Sequence, residues 1–237
     1  FKIKKIKTVK FLSKNLTIIF AIIIICSCAK EPEETPVSIY CSMISEKLVA
    51  FSRLSNFEKK KFQELSDTRF KKYKDDFIEA AETFGLEWEL LAAVAFQESQ
   101  WNPKARSATQ VKGMMMLTLP TAASVGVTNR LDPIQSIYGG AQYLSELGDI
   151  VEYGTSSGDK IAFILAAYNL GMTNVSNAID EISSNPSKLT WLELEKHLIS
   201  RKSSMDSVDY SRGQQTVDFV ERVRDYYYLL LSQNCID

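Results

Sequence analysis

Histidine is nearly missing from this chain: His197 is the only one among 237 residues. That scarcity excludes a Cys2His2 zinc site or a His-rich metal centre, and no metal or other cofactor is expected. A basic excess is missing too, once the first 27 residues are set aside. They hold six lysines (Lys2, Lys4, Lys5, Lys7, Lys10 and Lys14) and no acid; taking those six from 28 Lys and Arg leaves 22 against 29 Asp and Glu, a net of −7. A body of that sign does not suit nucleic acid, which is bound through basic patches facing phosphate. No uninterrupted apolar run reaches the roughly 20 residues that a spanning helix needs. No stretch alternates polar and apolar residues long enough for a convincing strand, and no internal repeat is present. What remains is ordinary. With 45% hydrophobic and 24% charged residues, the chain is neither a disordered tail, a collagen-like fibre nor a polytopic membrane protein. Its length suits one large domain or two small ones.

The lysine-rich start runs into Leu16–Cys26, eleven residues whose apolar character is broken only by Thr17. A basic region, an apolar segment of this length and small residues after it describe an export signal; an uncleaved membrane anchor is the alternative. The segment Ile25-Cys26-Ser27-Cys28 resembles a bacterial lipobox. That resemblance implies cleavage before Cys28, a signal peptide over residues 1–27 and a lipid on Cys28, which would hold the protein at a membrane without a spanning helix. Ala29 after the cysteine, in place of an acid, implies sorting to the outer membrane, facing the periplasm. The sequence begins at Phe1, not methionine. Cys41 and Cys235 remain, one near each end of the mature chain. In an oxidising compartment they either form a bridge worth a few kcal/mol or stay as two thiols.

Residues 28–38, charged and carrying Pro32 and Pro36, read as a tether. Residues 39–69 read as a helical N-terminal extension. Tyr73, Phe77, Ala80, Ala81 and Phe84 recur at spacings of three and four and stop at Gly85, an amphipathic helix with its terminator. Leu86–Ser99, Ser136–Leu147, Lys160–Asn169 and Thr216–Leu231 are also expected to be helical. The fold class is all-α, with long turns at 100–120 and 124–135.

Glu98 stands out on physical grounds. It follows Leu91 by seven residues, Val94 by four and Ala95 by three, so its carboxyl shares a helix face with three apolar side chains. A carboxyl held against apolar surface resists ionisation, and a raised pKa is what a general acid needs near neutral pH. The helix must end soon afterwards, at Asn102-Pro103, where a cleft can open. The bland alternative is a helix-end carboxylate bonded to a loop. Trp101 and Phe96 flank the turn and are expected to pack beneath it.

The run Glu98-Ser99-Gln100-Trp101-Asn102-Pro103-Lys104-Ala105-Arg106-Ser107 resembles the signature of soluble-lytic-transglycosylase-like domains of the lysozyme superfamily. The likeness continues through Gly113-Met114-Met115-Met116-Leu117-Thr118 and Pro120-Thr121-Ala122. It resumes at Asp132-Pro133, Gly139-Gly140-Ala141-Gln142-Tyr143-Leu144 and Ala166-Ala167-Tyr168-Asn169-Leu170-Gly171. Several blocks in order make the signal; no single block would. The triple methionine and the closing Tyr210–Tyr227 segment are most similar to the F branch of membrane-bound lytic murein transglycosylases.

This resemblance implies a lysozyme-like helical catalytic domain over residues 70–237. It implies a peptidoglycan lytic transglycosylase that cleaves between N-acetylmuramic acid and N-acetylglucosamine and leaves a 1,6-anhydromuramoyl end. Glu98 matches the catalytic acid and base, and Ser107 the serine that orients it. Tyr168 and Asn169 match a pair lining the cleft, Met116 sits at a sugar-binding position, and Gly113 lies where backbone passes close to the centre. The implied partners are peptidoglycan glycan strands and, through the lipid, a membrane, with the protein acting as a monomer in the cell envelope.

The departures matter. Met116 replaces the usual glutamine, although the F branch shares the methionine. Gln110 replaces a frequent glycine and is expected to reshape the turn, while Phe219 replaces a tyrosine and Gln215 an acid. Between Cys28 and the match there is too little chain for the solute-binding-like domain of the F branch, so regulation tied to it is not expected. Tyr143 and Tyr168 also read as core aromatics, Met114, Met115 and Met116 as filling, and Gly139-Gly140 as a close-packing site. A lysozyme-type hydrolase and a non-catalytic peptidoglycan-binding lipoprotein stay open as alternatives.

Overall fold

A computed structural model describes residues 35–200 and 210–235. The expected signal peptide, Cys28 and most of the tether lie outside the described residues. Ten α-helices appear among them: α1 Pro36–Phe51, α2 Asn56–Thr68, α3 Lys74–Phe84, α4 Trp88–Ser99, α5 Leu119–Ser124, α6 Pro133–Ile150, α7 Ser157–Leu170, α8 Met172–Asp180, α9 Trp191–Ser200 and α10 Tyr210–Gln233. The chain divides into two units after Ser42, and the packing described below lies in Met43–Asp237. The described residues form no strand; only isolated bridges join Arg106 to Lys112 and Lys112 to Leu117. The all-α expectation therefore holds. No described helix is long and apolar enough to cross a membrane.

Local chemistry sets the helix ends. Ser55 caps α2 in a reciprocal box with Glu58, and Ser156 does the same for α7 with Asp159. Asp132 caps α6 through its side chain and Pro133 opens it, where a missing N–H costs nothing. Gly85 ends α3 at φ 68°, the left-handed turn that glycine takes without a Cβ penalty.

Helix α4 buries six residues in succession, Leu91 to Phe96. A helix apolar on every side belongs at the centre of a fold, and α4 packs against α3 and, most extensively, along α10. Ala92, Ala93 and Ala95 keep its girth small. Helix α7 is also deeply buried, through Ala162, Phe163, Leu165, Ala166 and Ala167, and contacts α6, α8 and α10. The four strongest sequence patterns after residue 85 all become helices, each shifted or extended by a few residues at an end. The short helices α5, α8 and α9 lie in segments where periodicity is too brief to read.

Candidate active site

Helix α4 carries Glu98 one residue before its end. The cap residue Gln100 and the following Trp101 both take left-handed backbone, φ 53° and 54°. Such φ values are uncommon without glycine and persist only where the surroundings enforce them. The Trp101 indole is wholly buried, and its N–H donates to the Ala92 carbonyl at 2.8 Å. This is the packing expected beneath the turn. Ser99 adds a second anchor: its hydroxyl lies 2.7 Å from the Met114 carbonyl and 3.1 Å from that of Ala95, and it accepts from Asn102 N–H at 3.1 Å. The end of α4 is thereby fastened to the loop facing it.

Glu98 keeps a fraction of its surface open to solvent, while protein closely surrounds its carboxyl. Among the described residues no hydrogen bond or ion pair reaches it. Burial alone pushes its pKa from 4.5 up to about 8, with no charged neighbour contributing. The apolar face anticipated from Leu91, Val94 and Ala95 thus has the expected effect, and the bland alternative of a carboxylate bonded to a loop is not what the site contains.

Tyr168 of α7 stands opposite. Its hydroxyl donates to the Met115 carbonyl at 2.7 Å. Its ring lies 6.4 Å from Phe219, nearly parallel at 9°, and 5.4 Å from Tyr143. Burial raises the Tyr168 phenol well above its ordinary value, and negative charge on Glu98 and Tyr143 raises it further. The phenol therefore stays a neutral donor, electrostatically coupled to Glu98. Phe219 is a buried stacking partner for Tyr168.

The loop over residues 106–117 forms the remaining wall. Gln110, Gly113 and Met116 all take positive φ, at 68°, 87° and 48°. Gln110 thus takes the left-handed backbone that glycine favours. The Arg130 guanidinium donates to the carbonyls of Gln110 (2.9 Å) and Leu117 (2.8 Å), bracing the loop. Ser136 accepts from Met115 N–H at 3.1 Å. At Gly113 a Cβ would fall 1.8 Å from the Arg130 carbonyl oxygen, so only glycine fits. Gly140 likewise admits Met115, whose side-chain atoms would stand 2.6–2.8 Å from a Cβ there. Met114 and Met115 are fully buried filling, whereas Met116 stays partly exposed.

Glu98, Tyr168 and the methionine loop are therefore brought together. Ser107 organises the loop: its hydroxyl oxygen accepts from Thr109 N–H and Val111 N–H, both at 3.2 Å, and no hydrogen bond joins it to Glu98. Asn169 is exposed and accepts from the Thr216 hydroxyl at 3.0 Å. Cys41 and Cys235 are both disulfide-bonded. Sequence reading misses Ser99, Arg130 and Ser136. Nothing local marks their hold on the loop, because the loop groups they bond lie 13 to 21 residues away.

Residues 75–190 match the family model described as Transglycosylase SLT domain. Membrane-bound lytic murein transglycosylase F of Shewanella loihica is 40% identical over 196 residues, covering 79% of this chain and 40% of that protein. Its namesake from Stutzerimonas stutzeri is 41% identical over 169 residues, 68% of this chain and 34% of that one. The chain thus spans well under half the length of these relatives. Among solved structures, the 70 kDa soluble lytic transglycosylase of Escherichia coli aligns with a TM-score of 0.49 at 20% identity, covering 84% of this chain and 31% of that one. Residues 75–190, which contain the end of α4, the loop and Tyr168, thus carry a transglycosylase SLT domain.

Proposed function

We propose that this chain is a lytic murein transglycosylase of the cell envelope, cleaving peptidoglycan between N-acetylmuramic acid and N-acetylglucosamine. The observation that carries the reading is Glu98, a carboxyl without partners whose burial raises its pKa to about 8, within residues that match a transglycosylase SLT domain. Such a group is protonated at neutral pH and can donate to the glycosidic oxygen. The bond from muramoyl C1 to that oxygen breaks, and the proton from Glu98 leaves with the departing sugar. The carboxylate then takes the proton of the muramoyl C6 hydroxyl, whose oxygen closes on C1 as the 1,6-anhydro ring. No water is consumed, and Glu98 ends protonated as it began.

One carboxyl serves twice, unlike the paired carboxylates of most glycosidases. A salt bridge would hold it ionised and spoil the first step. The substrate's own acetamido group stabilises the cationic C1, and Ser107, Met116, Tyr168 and Asn169 form the sugar-binding edge. Tyr168, kept neutral and fixed on the Met115 carbonyl, holds the loop against that edge. The catalytic domain covers residues 70–237 and the helical extension 39–69. The signal peptide is 1–27, and Cys28 carries the lipid that tethers a monomer to the outer membrane, facing the periplasm.

The test is the full chain, purified in detergent, on isolated sacculi with products identified by mass spectrometry. Anhydromuropeptides that vanish in Glu98→Gln are the expected result. Reducing ends would make the enzyme a hydrolase, and sacculus binding without turnover would leave a cell-wall-binding protein.

A further inference from the structure

The turn that follows Glu98 is also held from outside residues 75–190. From the short 3-10 segment after α2, Phe70 lies 4.8 Å from the Trp101 ring, and from α2 itself Phe62 lies 5.3 Å from it. Arg69, between them, donates from its guanidinium to the Gln100 carbonyl at 3.1 Å. That carbonyl belongs to the first of the two left-handed residues. On the other flank, Arg222 of α10 uses all three guanidinium nitrogens. Nε donates to the Gln97 side-chain oxygen at 3.1 Å, Nη1 meets Glu58 of α2 at 2.7 Å, and Nη2 donates to the Tyr226 hydroxyl at 2.7 Å. Gln97 is the residue before Glu98. Glu58 is itself fixed by the α2 capping box, which, together with Arg222, lowers its pKa to about 2.

We infer that Arg69 and Arg222 are positioning residues for Glu98, clamping the last turn of α4 and the left-handed pair after it so that the carboxyl stays in its apolar setting. The inference rests on the proposed role of Glu98. Neither arginine touches the carboxyl, and neither acts on it by charge, since burial alone raises its pKa. Strained backbone survives only where contacts enforce it, and beside the anchors of Ser99 and Trp101 within the domain these contacts come from segments flanking residues 75–190. A planar fork is well matched to such a clamp. Arg222 satisfies three acceptors in one plane, which a lysine ammonium on a flexible stem does not reproduce.

The sign of the pKa change separates positioning from charge. Removing a cation that acted electrostatically would raise the pKa of Glu98. Loosening the turn admits water and lowers it from about 8 toward 4.5. The titratable groups facing Glu98 are Tyr168 of α7 and, beside it, Tyr143 of α6, and both remain neutral.

The experiment compares the full-length wild type with Arg69→Met, Arg222→Met and Arg222→Lys. Leu194→Ala serves as a control, opening a cavity in α9 that lowers stability by a purely structural route. Glu98 is titrated directly by carboxyl-carbon NMR, and turnover of sacculi is followed per folded molecule. The clamp predicts a downward pKa shift and roughly 10- to 100-fold slower turnover in both methionine variants. Arg222→Lys should be shifted in the same direction, and Leu194→Ala should show neither change. Arginine variants that titrate and turn over like Leu194→Ala would overturn the inference, as would an upward shift. The NMR titration does not depend on turnover. A wild type that makes no anhydro product would therefore sink the proposed activity while leaving the positioning claim to be judged on its own.

Discussion

On one side of Glu98 stands α4, whose residues Leu91 to Phe96 are all buried; on the other stands the loop over 106–117, with three residues at positive φ. The helical wall is held by apolar volume. The loop wall is held by polar clips from Ser99, Arg130, Ser136 and Tyr168 onto backbone groups of residues 110 to 117. The two should therefore fail differently. Loss of volume in the helical wall removes stability directly, because a packed core collapses only partly around a cavity. Loss of a clip in the loop wall costs little folding energy but frees the surface that must meet the sugar, so it removes rate.

The largest effect is expected where the two walls meet. Glu98→Gln should abolish anhydro product, a loss on the order of 10²–10⁴-fold or more for a single acid-base group. Turnover by the wild type should fall as pH rises through about 8, since the acid must be protonated. Stability gives an independent reading. The folded pKa lies above the unfolded value of 4.5, so the contribution of Glu98 is fully present below pH 4.5 and is lost as pH rises through about 8. Glutamine has no such loss. The variant should therefore melt near the wild type at pH 4.5 and above it at pH 8, by up to a few kcal/mol. A variant less stable at every pH would make Glu98 a structural carboxylate and break the division between the walls.

Trp101→Ala tests the helical wall alone. The ring is wholly buried among Phe62, Phe70 and Phe96, so about 3–5 kcal/mol should be lost in urea denaturation. An unchanged midpoint would mean that the ring does not pack there in solution. Gly113→Ala tests the loop wall. Its Cβ would meet the Arg130 carbonyl at 1.8 Å, which forces the loop to move, at about 1–3 kcal/mol for the strain. Turnover should fall by more than the stability change alone accounts for. A variant that loses stability in proportion to rate would put the loop on the same footing as the helix.

How legible each wall is in the sequence follows from the same difference. Helix α4 announces itself, because burial of apolar residues leaves a continuous pattern along the chain, and spacing alone places Glu98 on its apolar face. The end of α3 is equally plain, marked by Gly85, whereas α6 begins at Pro133, within the turn expected over 124–135. The loop is legible only through family resemblance. Its clips come from residues distant in sequence, and its left-handed positions fall on Gln110 and Met116, residue types that carry no such signal. Ser107 illustrates the limit. Resemblance assigns it to orienting Glu98, whereas its hydroxyl accepts two backbone N–H groups within the loop, a turn motif that a serine followed by Ala108-Thr109 does not by itself announce.

The smallest change gives the sharpest comparison. Tyr168→Phe keeps the ring against Phe219 and Tyr143 and removes only the hydroxyl that donates to the Met115 carbonyl at 2.7 Å. One neutral hydrogen bond is worth about 0.5–1.5 kcal/mol net, somewhat more if the carbonyl is left unsatisfied. The urea midpoint should shift by that small amount. Turnover should nevertheless drop severalfold, because the methionine loop loses its tie to α7 beside Glu98. Parallel measurement of denaturation and anhydro product separates the two. A stability loss of several kcal/mol with turnover intact would show that Tyr168 belongs to the packed core instead of the loop's bracing, and the line between the walls would have to be redrawn through α7.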